Sequence, residues 1–285
     1  MREELLINLH ASSLFSLEGK TVLLTGASGF LGRTMGTALL ENGARLIALG
    51  RSDRLKEQEV KWSSQFGSDK IVAYQVDMYD IPLFEKKLDE ILKKEQYIEI
   101  LVNNAYELNK KTGFNTSDGS LENGTYEQWM RNLTCGVYWA VLTTQKLGAP
   151  MKVKGKGSII NISTMYALVA PNPQLYEGTE SLNPTGYSAA KAGLMAFTRY
   201  TAAFWGAYGI RANAILPGPF SNTEDDGPNS VKASDEFLER LKSRTCLRRI
   251  GVPSELIGSL IYLASDASSF VTGHALVVDG GWTIT

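Results

Sequence analysis

Seven short runs of aliphatic and β-branched residues alternate with longer helical patterns, and this alternation constrains the fold more than any other feature. Continuous apolar runs of this length are typical of strands buried on both faces of a parallel sheet. Strands that alternate with helices predict a doubly wound α/β sheet with right-handed crossovers. The runs are TVLLTG, RLIALG, IVAYQVD, IEILVNNA, GSIINIS, IRANAILPG and HALVVDGG.

The segments between these runs predict the helices and two long loops. Helices are expected to begin near Phe30, Ile81, Tyr126, Pro184, Ser234 and Pro253. Polar loops are expected at residues 107–125 and 166–183, and loops of this length in a compact domain are often functional. The pattern favours one domain at residues 19–285, preceded by an N-terminal extension at residues 1–18 that carries a short apolar periodicity and no assigned role.

Composition limits the partners and the location. The net charge of -1 gives no global reason to expect nucleic acid or an anionic membrane as a partner. Cys135 and Cys246 match no metal-ligand spacing and suggest no disulfide framework, so we expect no metal and a reducing compartment. The N-terminus lacks a signal-peptide pattern, and no apolar run is long enough to span a membrane. A cytoplasmic protein with a small-molecule partner is the simplest expectation.

The glycine-rich segment TGASGFLG, residues 25–32, connects the first strand to the first helix. In this context Gly26 permits a tight turn, Gly29 allows a pyrophosphate to approach the backbone, and Gly32 lets helix and strand pack closely. The segment predicts a dinucleotide site. A glycine-rich turn without a ligand is the alternative.

The end of the second strand indicates which dinucleotide is preferred. An NAD site commonly has an acid there for the ribose hydroxyls, whereas this chain has Gly50, Arg51 and Ser52. A cation in place of the acid favours NADP(H), with NAD(H) possible. Asp77 ends the third strand and could accept a hydrogen bond from the adenine amino group, or it could cap the following helix.

A predicted helix from Asn183 to Gly209 carries Tyr187 and Lys191 on one face. Asn183 is a plausible N-cap, Pro184 suits the first helical position, and Gly209 suits the end. A neighbouring ammonium is expected to lower the pKa of the phenol and to suit it for acid-base work. Taken alone, such a pair is more often two polar surface residues.

Together the motifs give the chain a family resemblance. They are TGASGFLG, Asp77, Asn103–Ala105, Asn132, Asn161–Thr164, Tyr187–Lys191, Pro217–Gly218 and Val278–Gly281. In their order and spacing, from about Leu17 to the C-terminus, the chain resembles the short-chain dehydrogenase/reductase family. The resemblance implies a Rossmann-type fold and an NAD(P)-dependent enzyme that transfers a hydride between nicotinamide and a carbonyl or secondary alcohol.

The resemblance also implies roles for individual residues. Tyr187 would be the general acid/base, Lys191 would lower the phenol pKa and bind the nicotinamide ribose, Thr164 would orient the substrate oxygen, and Asn132 would hold a water in a proton relay. Implied cofactor contacts are Gly26, Ser28, Gly29, Phe30, Leu31, Arg51, Ser52, Asp77, Met78, Asn104, Ala105, Tyr187, Lys191, Pro217, Gly218 and Phe220.

Three departures from the family pattern stand out. The hydroxyl position is usually serine, but here it is Thr164 beside Ser163, which leaves open which hydroxyl acts. The interval to Tyr187 is lengthened by the polar segment PNPQLYEGTESLN. The GxxGxxG turn is typical of the extended branch that handles nucleotide sugars, yet the chain after Pro217 is too short for the separate sugar-nucleotide domain of that branch.

Polar residues in the two long loops favour a polyhydroxylated or anionic substrate. Candidate substrate contacts are Tyr106, Ser163, Tyr166, Tyr176 and Glu177. The YEGT segment resembles bacterial sugar oxidoreductases of the family, including members associated with flagellin glycosylation and nonulosonic acid pathways. A nucleotide-sugar epimerase or dehydratase and a non-catalytic dinucleotide sensor remain as alternatives. The resemblance further implies a homotetramer or homodimer built on the helices at 126–147 and 184–208, whose apolar residues beyond one face include Trp139, Phe204 and Trp205.

Overall fold

The computed structural model describes residues 11–179, 182–220 and 234–285, so part of the N-terminal extension lies outside it. Seven parallel strands form one sheet in the order β3-β2-β1-β4-β5-β6-β7. The predicted doubly wound fold and all seven predicted strands are confirmed. The strands are β1 (Thr21–Thr25), β2 (Arg45–Gly50), β3 (Ile71–Gln75), β4 (Ile100–Asn103), β5 (Gly157–Ile162), β6 (Ile210–Pro217) and β7 (Ala275–Val278).

Alternate side chains of the central strands pack into two separate cores. Val22 and Leu24 of β1 belong to a cluster on one face, whereas Leu23 belongs to a cluster on the other. All three are fully buried. Because successive residues of a strand point to opposite faces, a strand that is covered on both faces needs a continuous apolar run. This packing explains why the strand signal was strong in the sequence.

Helices cover both faces of this sheet. They are α1 (Ala11–Leu14), α2 (Phe30–Glu41), α3 (Arg54–Phe66), α4 (Ile81–Glu95), α5 (Tyr126–Leu133), α6 (Trp139–Lys154), α7 (Thr185–Trp205), α8 (Asp235–Arg244) and α9 (Ile257–Ala264). The predicted starts of α2, α4 and α5 are confirmed, and Ser234 caps α8 by accepting a hydrogen bond from Phe237 N. The sequence reading missed α3. Only Leu55 and Trp62 of that helix are buried, so its apolar stripe is too sparse to stand out.

Two helix predictions need correction at their boundaries. The helix expected at residues 126–147 is broken by a π-helical turn, Thr134–Tyr138, and continues as α6 to Lys154. In α7, Pro184 rather than Asn183 is the N-cap residue. After α7 a short 3-10 turn, Gly206–Tyr208, leads to Gly209 at φ 71°, so the predicted glycine stop is confirmed one turn beyond the α-helix.

The long loops contain short 3-10 turns rather than extended chain. Lys110–Thr112 and Ser117–Gly119 lie in the first loop, and Pro173–Leu175 lies in the second. The first loop is tied to the second because Leu182 N donates to Asn115 Oδ1 over 2.9 Å. The two loops therefore support each other next to the start of α7.

Two tryptophans that were predicted to lie beyond the buried face of their helices are instead part of the core. Trp139 is only 7% exposed, and Trp205 packs against the same apolar cluster. Phe204 is exposed, and its ring stacks on that of Tyr200 at 4.2 Å. In the described part of the chain, no helix has the length and apolarity needed to cross a membrane.

Candidate active site

A cavity of about 440 Å³ opens at the carboxyl ends of the central strands. It lies where the strand order reverses between β1 and β4, which is the position at which doubly wound sheets bind ligands. Every residue predicted to contact the cofactor lines this cavity, as do Tyr106, Ser163 and Thr164. Asn132, Tyr166, Tyr176 and Glu177 are not among the lining residues.

The glycine turn forms one end of the cavity. Gly26 has φ 67°, and a Cβ there would lie 2.9 Å from Ala105 Cα. A Cβ on Gly32 would lie 2.1 Å from Gly26 O. Gly29 is the N-cap residue of α2, with no side-chain cap, so the first-turn N–H groups of α2 are left for a ligand. This cradle fits the diphosphate of a dinucleotide.

Tyr187 and Lys191 lie on the first two turns of α7 at the other end of the cavity. The buried Lys191 Nζ donates to Ile162 O over 2.7 Å and lies 4.8 Å from the ring centroid of Tyr106. The rings of Tyr106 and Phe114 meet the Tyr187 ring edge-on at 5.0 and 5.2 Å. The ammonium is thus held by a main-chain carbonyl and a ring face.

The protonation of this pair differs from the prediction. Burial raises the pKa of Tyr187 to about 12, and contact with the Thr164 hydroxyl only partly opposes this. Burial lowers the pKa of Lys191 to about 8. The expected lowering of the phenol pKa by the ammonium is therefore not what the structure shows, because the pKa of Tyr187 is raised. The physical reason is that Lys191 donates to Ile162 O, so loss of hydration dominates at both groups.

The two neighbouring hydroxyls after β5, Ser163 and Thr164, have different hydrogen-bond partners. Ser163 Oγ donates to Lys191 O over 3.0 Å, so this hydroxyl ties β5 to α7. Thr164 Oγ1 accepts from Tyr166 N at 3.4 Å and faces the phenol of Tyr187. This geometry favours Thr164 as the hydroxyl that meets a substrate oxygen.

Asn132 is buried beside the π-helical turn, and its side chain is fully engaged. Its Nδ2 donates to Thr112 O and Gln128 O over 2.9 and 2.7 Å, and its Oδ1 accepts from the Tyr106 hydroxyl. A water relay at Asn132 would therefore have to use its main-chain carbonyl. Such π-turns are frequent at functional sites. Tyr106, predicted to contact substrate, lines the cavity and also donates to Asn132.

Arg51 lies at the opposite end of the cavity from Lys191 and is already paired. Its NH1 lies 3.0 Å from Glu107 Oε1 and 4.0 Å from Asp77 Oδ1. Glu107 Oε2 accepts from Arg131 Nε and NH2 over 3.0 and 2.6 Å. Burial acts to raise the pKa of Glu107, but the hydrogen bonds from Arg131 and Arg51 outweigh it and hold that pKa below its ordinary value.

Three predicted substrate residues do not line the cavity. Tyr166 and Tyr176 belong to an apolar cluster with Trp282, against which Tyr187 packs, and their hydroxyls are 3.3 Å apart. Glu177 is exposed, and its carbonyl accepts from Arg240 of α8 over 2.6 Å. These contacts dock the second loop onto α8.

Sequence reasoning missed several residues that line the cavity. Glu107 could have been found, because it directly follows the predicted Asn104–Tyr106 contacts at the end of β4. The others are apolar or glycine and carry no local signal apart from their place at strand ends. The missed lining residues are Gly50, Val76, Glu107, Leu108, Trp139 and Ile162.

Comparison with known proteins decides the family. The family described as “Enoyl-(Acyl carrier protein) reductase” matches residues 26–283 of the chain. The chain belongs to the short-chain dehydrogenase/reductase family. The chain is 31% identical to sorbose reductase from Candida albicans over 274 residues, which cover 95% of the chain and 89% of that reductase. It is 33% identical to L-rhamnose 1-dehydrogenase (NAD(P)(+)) from Azotobacter vinelandii over 270 residues, which cover 92% of the chain and 96% of that enzyme.

A solved structure of the same family is similar along almost the whole chain. It is a gluconate 5-dehydrogenase from Burkholderia cenocepacia in complex with NADP and tartrate, with a TM-score of 0.80 and 27% identity. The match covers 97% of this chain and 100% of that one. Like these dehydrogenases and reductases, the protein is an NAD(P)-dependent oxidoreductase of the short-chain family that acts on CH–OH groups.

Proposed function

We propose that the protein is an NADP(H)-preferring oxidoreductase that interconverts a carbonyl and a secondary alcohol on a sugar or a polar sugar derivative. One observation carries this proposal. A single cavity joins the glycine cradle of Gly26 and Gly29 to the side chains of Thr164, Tyr187 and Lys191. A dinucleotide bound along it would lie between the cradle and these three side chains, whose hydroxyl, phenol and ammonium groups can hold or move a proton.

The roles of the chain's own residues follow from this placement. The nicotinamide supplies or accepts the hydride when it is bound. Tyr187 donates or removes the proton at the substrate oxygen, and Thr164 holds that oxygen with its hydroxyl. Lys191, which donates to Ile162 O in this structure, would turn to the cofactor ribose, and the main-chain carbonyl of Asn132 would hold the relay water.

The sugar assignment has two supports. Sorbose reductase, L-rhamnose 1-dehydrogenase and gluconate 5-dehydrogenase are named for small polyhydroxylated substrates. Independently, the loops at 107–125 and 166–179 are rich in polar residues and pack next to α7. A relative of 31% identity is a 7alpha-hydroxysteroid dehydrogenase from Paraclostridium sordellii, so a steroid belongs in the substrate panel as the contrasting class.

The preference for NADP(H) rests on Arg51, which lines the cavity at the end of β2. We also propose a homodimer or homotetramer, because Tyr200 and Phe204 present stacked, exposed rings on the outer face of α7. Light scattering should return more than one subunit per particle. Two free cysteines, Cys135 and Cys246, support a cytoplasmic location.

The decisive experiment is a panel of sugars, sugar alcohols and sugar acids, with a steroid included, tested with NADP(H) and NAD(H). We expect a steady change in the absorbance of the reduced nicotinamide with at least one polyhydroxylated compound. An epimerase or dehydratase would consume its substrate without that steady change, because its cofactor is regenerated in each turnover. A protein that binds the dinucleotide but turns over nothing would support a sensor instead.

A further inference from the structure

Glu107 is a nearly inaccessible carboxylate between two arginines, and its side chain is only 4% exposed. Each of its oxygens is bound to a different cation, Oε1 to Arg51 and Oε2 to Arg131. Arg51 belongs to the strand end that predicts the site of the ribose 2'-phosphate. Glu107 therefore holds the very guanidinium that a 2'-phosphate would need.

Arg131 keeps this carboxylate in place. Its guanidinium lies 3.8 Å from the ring centroid of Tyr79, and the Tyr79 hydroxyl donates to Arg131 O over 3.4 Å. Arg131 also makes two hydrogen bonds to one oxygen of Glu107. Paired charges that are buried and hydrogen-bonded are expensive to separate. When Arg51 turns to a ligand, Glu107 therefore stays beside Arg131, close to the position of that ligand.

Arg51 is the cation that can move. About half of its side chain is exposed, compared with 28% for that of Arg131. Among the described residues that line the cavity, the other basic side chain is Lys191 at the far end. Asp77 Oδ1, 4.0 Å from Arg51 NH1, adds a second negative charge nearby. A 2'-phosphate would meet one cation that is shared with two carboxylates.

We propose that Glu107 is a specificity-determining residue that weakens the preference for NADP(H) and lets the enzyme use NAD(H) as well. Its fixed carboxylate competes with the 2'-phosphate for Arg51 and repels the phosphate charge, whereas a 2'-hydroxyl experiences neither effect. This inference rests on the dinucleotide site of the proposed function. It assigns the ratio of the dissociation constants for NADPH and NADH to Glu107 as well as to Arg51.

The test is the equilibrium dissociation constant of NADPH and of NADH, measured by fluorescence without substrate. In Glu107→Gln, which keeps the shape and removes the charge, we expect the constant for NADPH to fall about tenfold or more, because like charges at an interface are costly. The constant for NADH should stay within about twofold. Asp89→Asn is the matched control, since it removes the same charge from Asp89 of α4, which pairs with Lys146 of α6 at the surface, and it should change neither constant.

A double-mutant cycle with Arg51→Gln separates competition for the guanidinium from a general effect of charge. Without Arg51, the gain in NADPH binding from Glu107→Gln should shrink severalfold. If the gain is the same with and without Arg51, or if the ratio of the two constants in Glu107→Gln equals that of the wild type, the inference is overturned. Should Glu107→Gln fail to fold, Glu107→Asp tests the competition alone, because it keeps the charge beside Arg131 but shortens the reach to Arg51. The constant for NADPH should then fall relative to that for NADH, and an unchanged ratio would overturn the inference.

The failure of this inference can be told apart from that of the proposed function. Wild-type protein that binds neither NADPH nor NADH would overturn the proposed function and this inference with it. Wild-type protein that binds both, together with an unchanged ratio in Glu107→Gln, would overturn this inference alone.

Discussion

Lys191 lines the cavity and Arg131 lies beside it next to Glu107, and their surroundings shift the pKa of the two cations in opposite directions. At the catalytic end, Lys191 has a carbonyl and a ring face for partners, and burial lowers its pKa to about 8. Next to Glu107, partial burial also acts to lower the pKa of Arg131, but the hydrogen bond to Glu107 outweighs it and raises that pKa. Lys191, whose partners are dipoles, can therefore lose its proton near pH 8, whereas the guanidinium of Arg131 keeps its charge.

This difference in partners has a separate consequence at each end of the cavity. At the catalytic end, loss of hydration shifts the pKa of both Tyr187 and Lys191, and shifted pKa values of this kind are typical of functional sites. At the recognition end, Glu107 binds both Arg51 and Arg131, so a phosphate would have to compete with a carboxylate for Arg51.

The largest effect is expected at the catalytic end. Tyr187→Phe should lower turnover at least about a hundredfold, the usual size of a lost general acid/base, while the dissociation constant for NADPH stays nearly unchanged. Steady-state kinetics and fluorescence titration measure the two quantities. Tyr166→Phe is the control, because its hydroxyl meets that of Tyr176 behind the cavity, and it should keep turnover within severalfold. Near-normal turnover in Tyr187→Phe would refute the assigned role.

The glycine cradle at the recognition end gives the next largest effect. Gly26 and Gly155 both have φ 67°, but a Cβ on Gly26 meets Ala105 Cα at 2.9 Å and a Cβ on Gly155 meets nothing within 4 Å. Both alanine variants carry the left-handed backbone cost of about 1–2 kcal/mol. Gly26→Ala should lose about 1–3 kcal/mol more in free energy of unfolding, because of overpacking, and should also bind NADPH more weakly. Equal losses in chemical denaturation would show that the cradle is not crowded.

Lys191→Met should lower turnover at least about tenfold, because a charge-assisted hydrogen bond contributes about 1.5–3 kcal/mol. It also changes how stability depends on pH. The pKa of Lys191 is about 8 when folded and about 10.5 ordinarily, so the unfolded chain binds more protons between these values. The free energy of unfolding of the wild type, relative to Lys191→Met, should therefore rise as the pH increases from about 8 to about 10.5. Denaturation at a series of pH values that gave a constant difference would contradict this assignment.

The smallest effect is expected where the two ends meet. Tyr106→Phe keeps the ring against Lys191 and removes the hydroxyl that donates to Asn132, so we expect a loss of about 1 kcal/mol in stability and a modest loss of turnover. Tyr97→Phe is the matched control, because its hydroxyl donates to Lys156 O in an exposed setting. It should lose less free energy of unfolding than Tyr106→Phe. If Tyr106→Phe is as stable as the wild type, Tyr106 does not anchor Asn132.

Most of the fold could be predicted because its signals are local. Strands buried on both faces need continuous apolar runs, and all seven predicted strands are present. The helix α3 was missed because Leu55 and Trp62 are its only buried residues. The π-turn at Thr134–Tyr138 was missed because it follows from packing against α7, as shown by Gly136, where a Cβ would lie 2.6 Å from Ala190 Cβ. No local pattern encodes that contact.

By itself, the sequence determined the fold class, the glycine turn and the placement of Tyr187 and Lys191 on one helical face, because each depends on residues a few positions apart. Only the tertiary structure decided what these groups touch. The pairing of Arg51 with Glu107 joins residues 56 apart, and the bond from Lys191 to Ile162 joins residues 29 apart. Charge pairing and loss of hydration depend on such distant neighbours, so the protonation of the catalytic pair and the counter-ion of Arg51 appear only when the chain is folded.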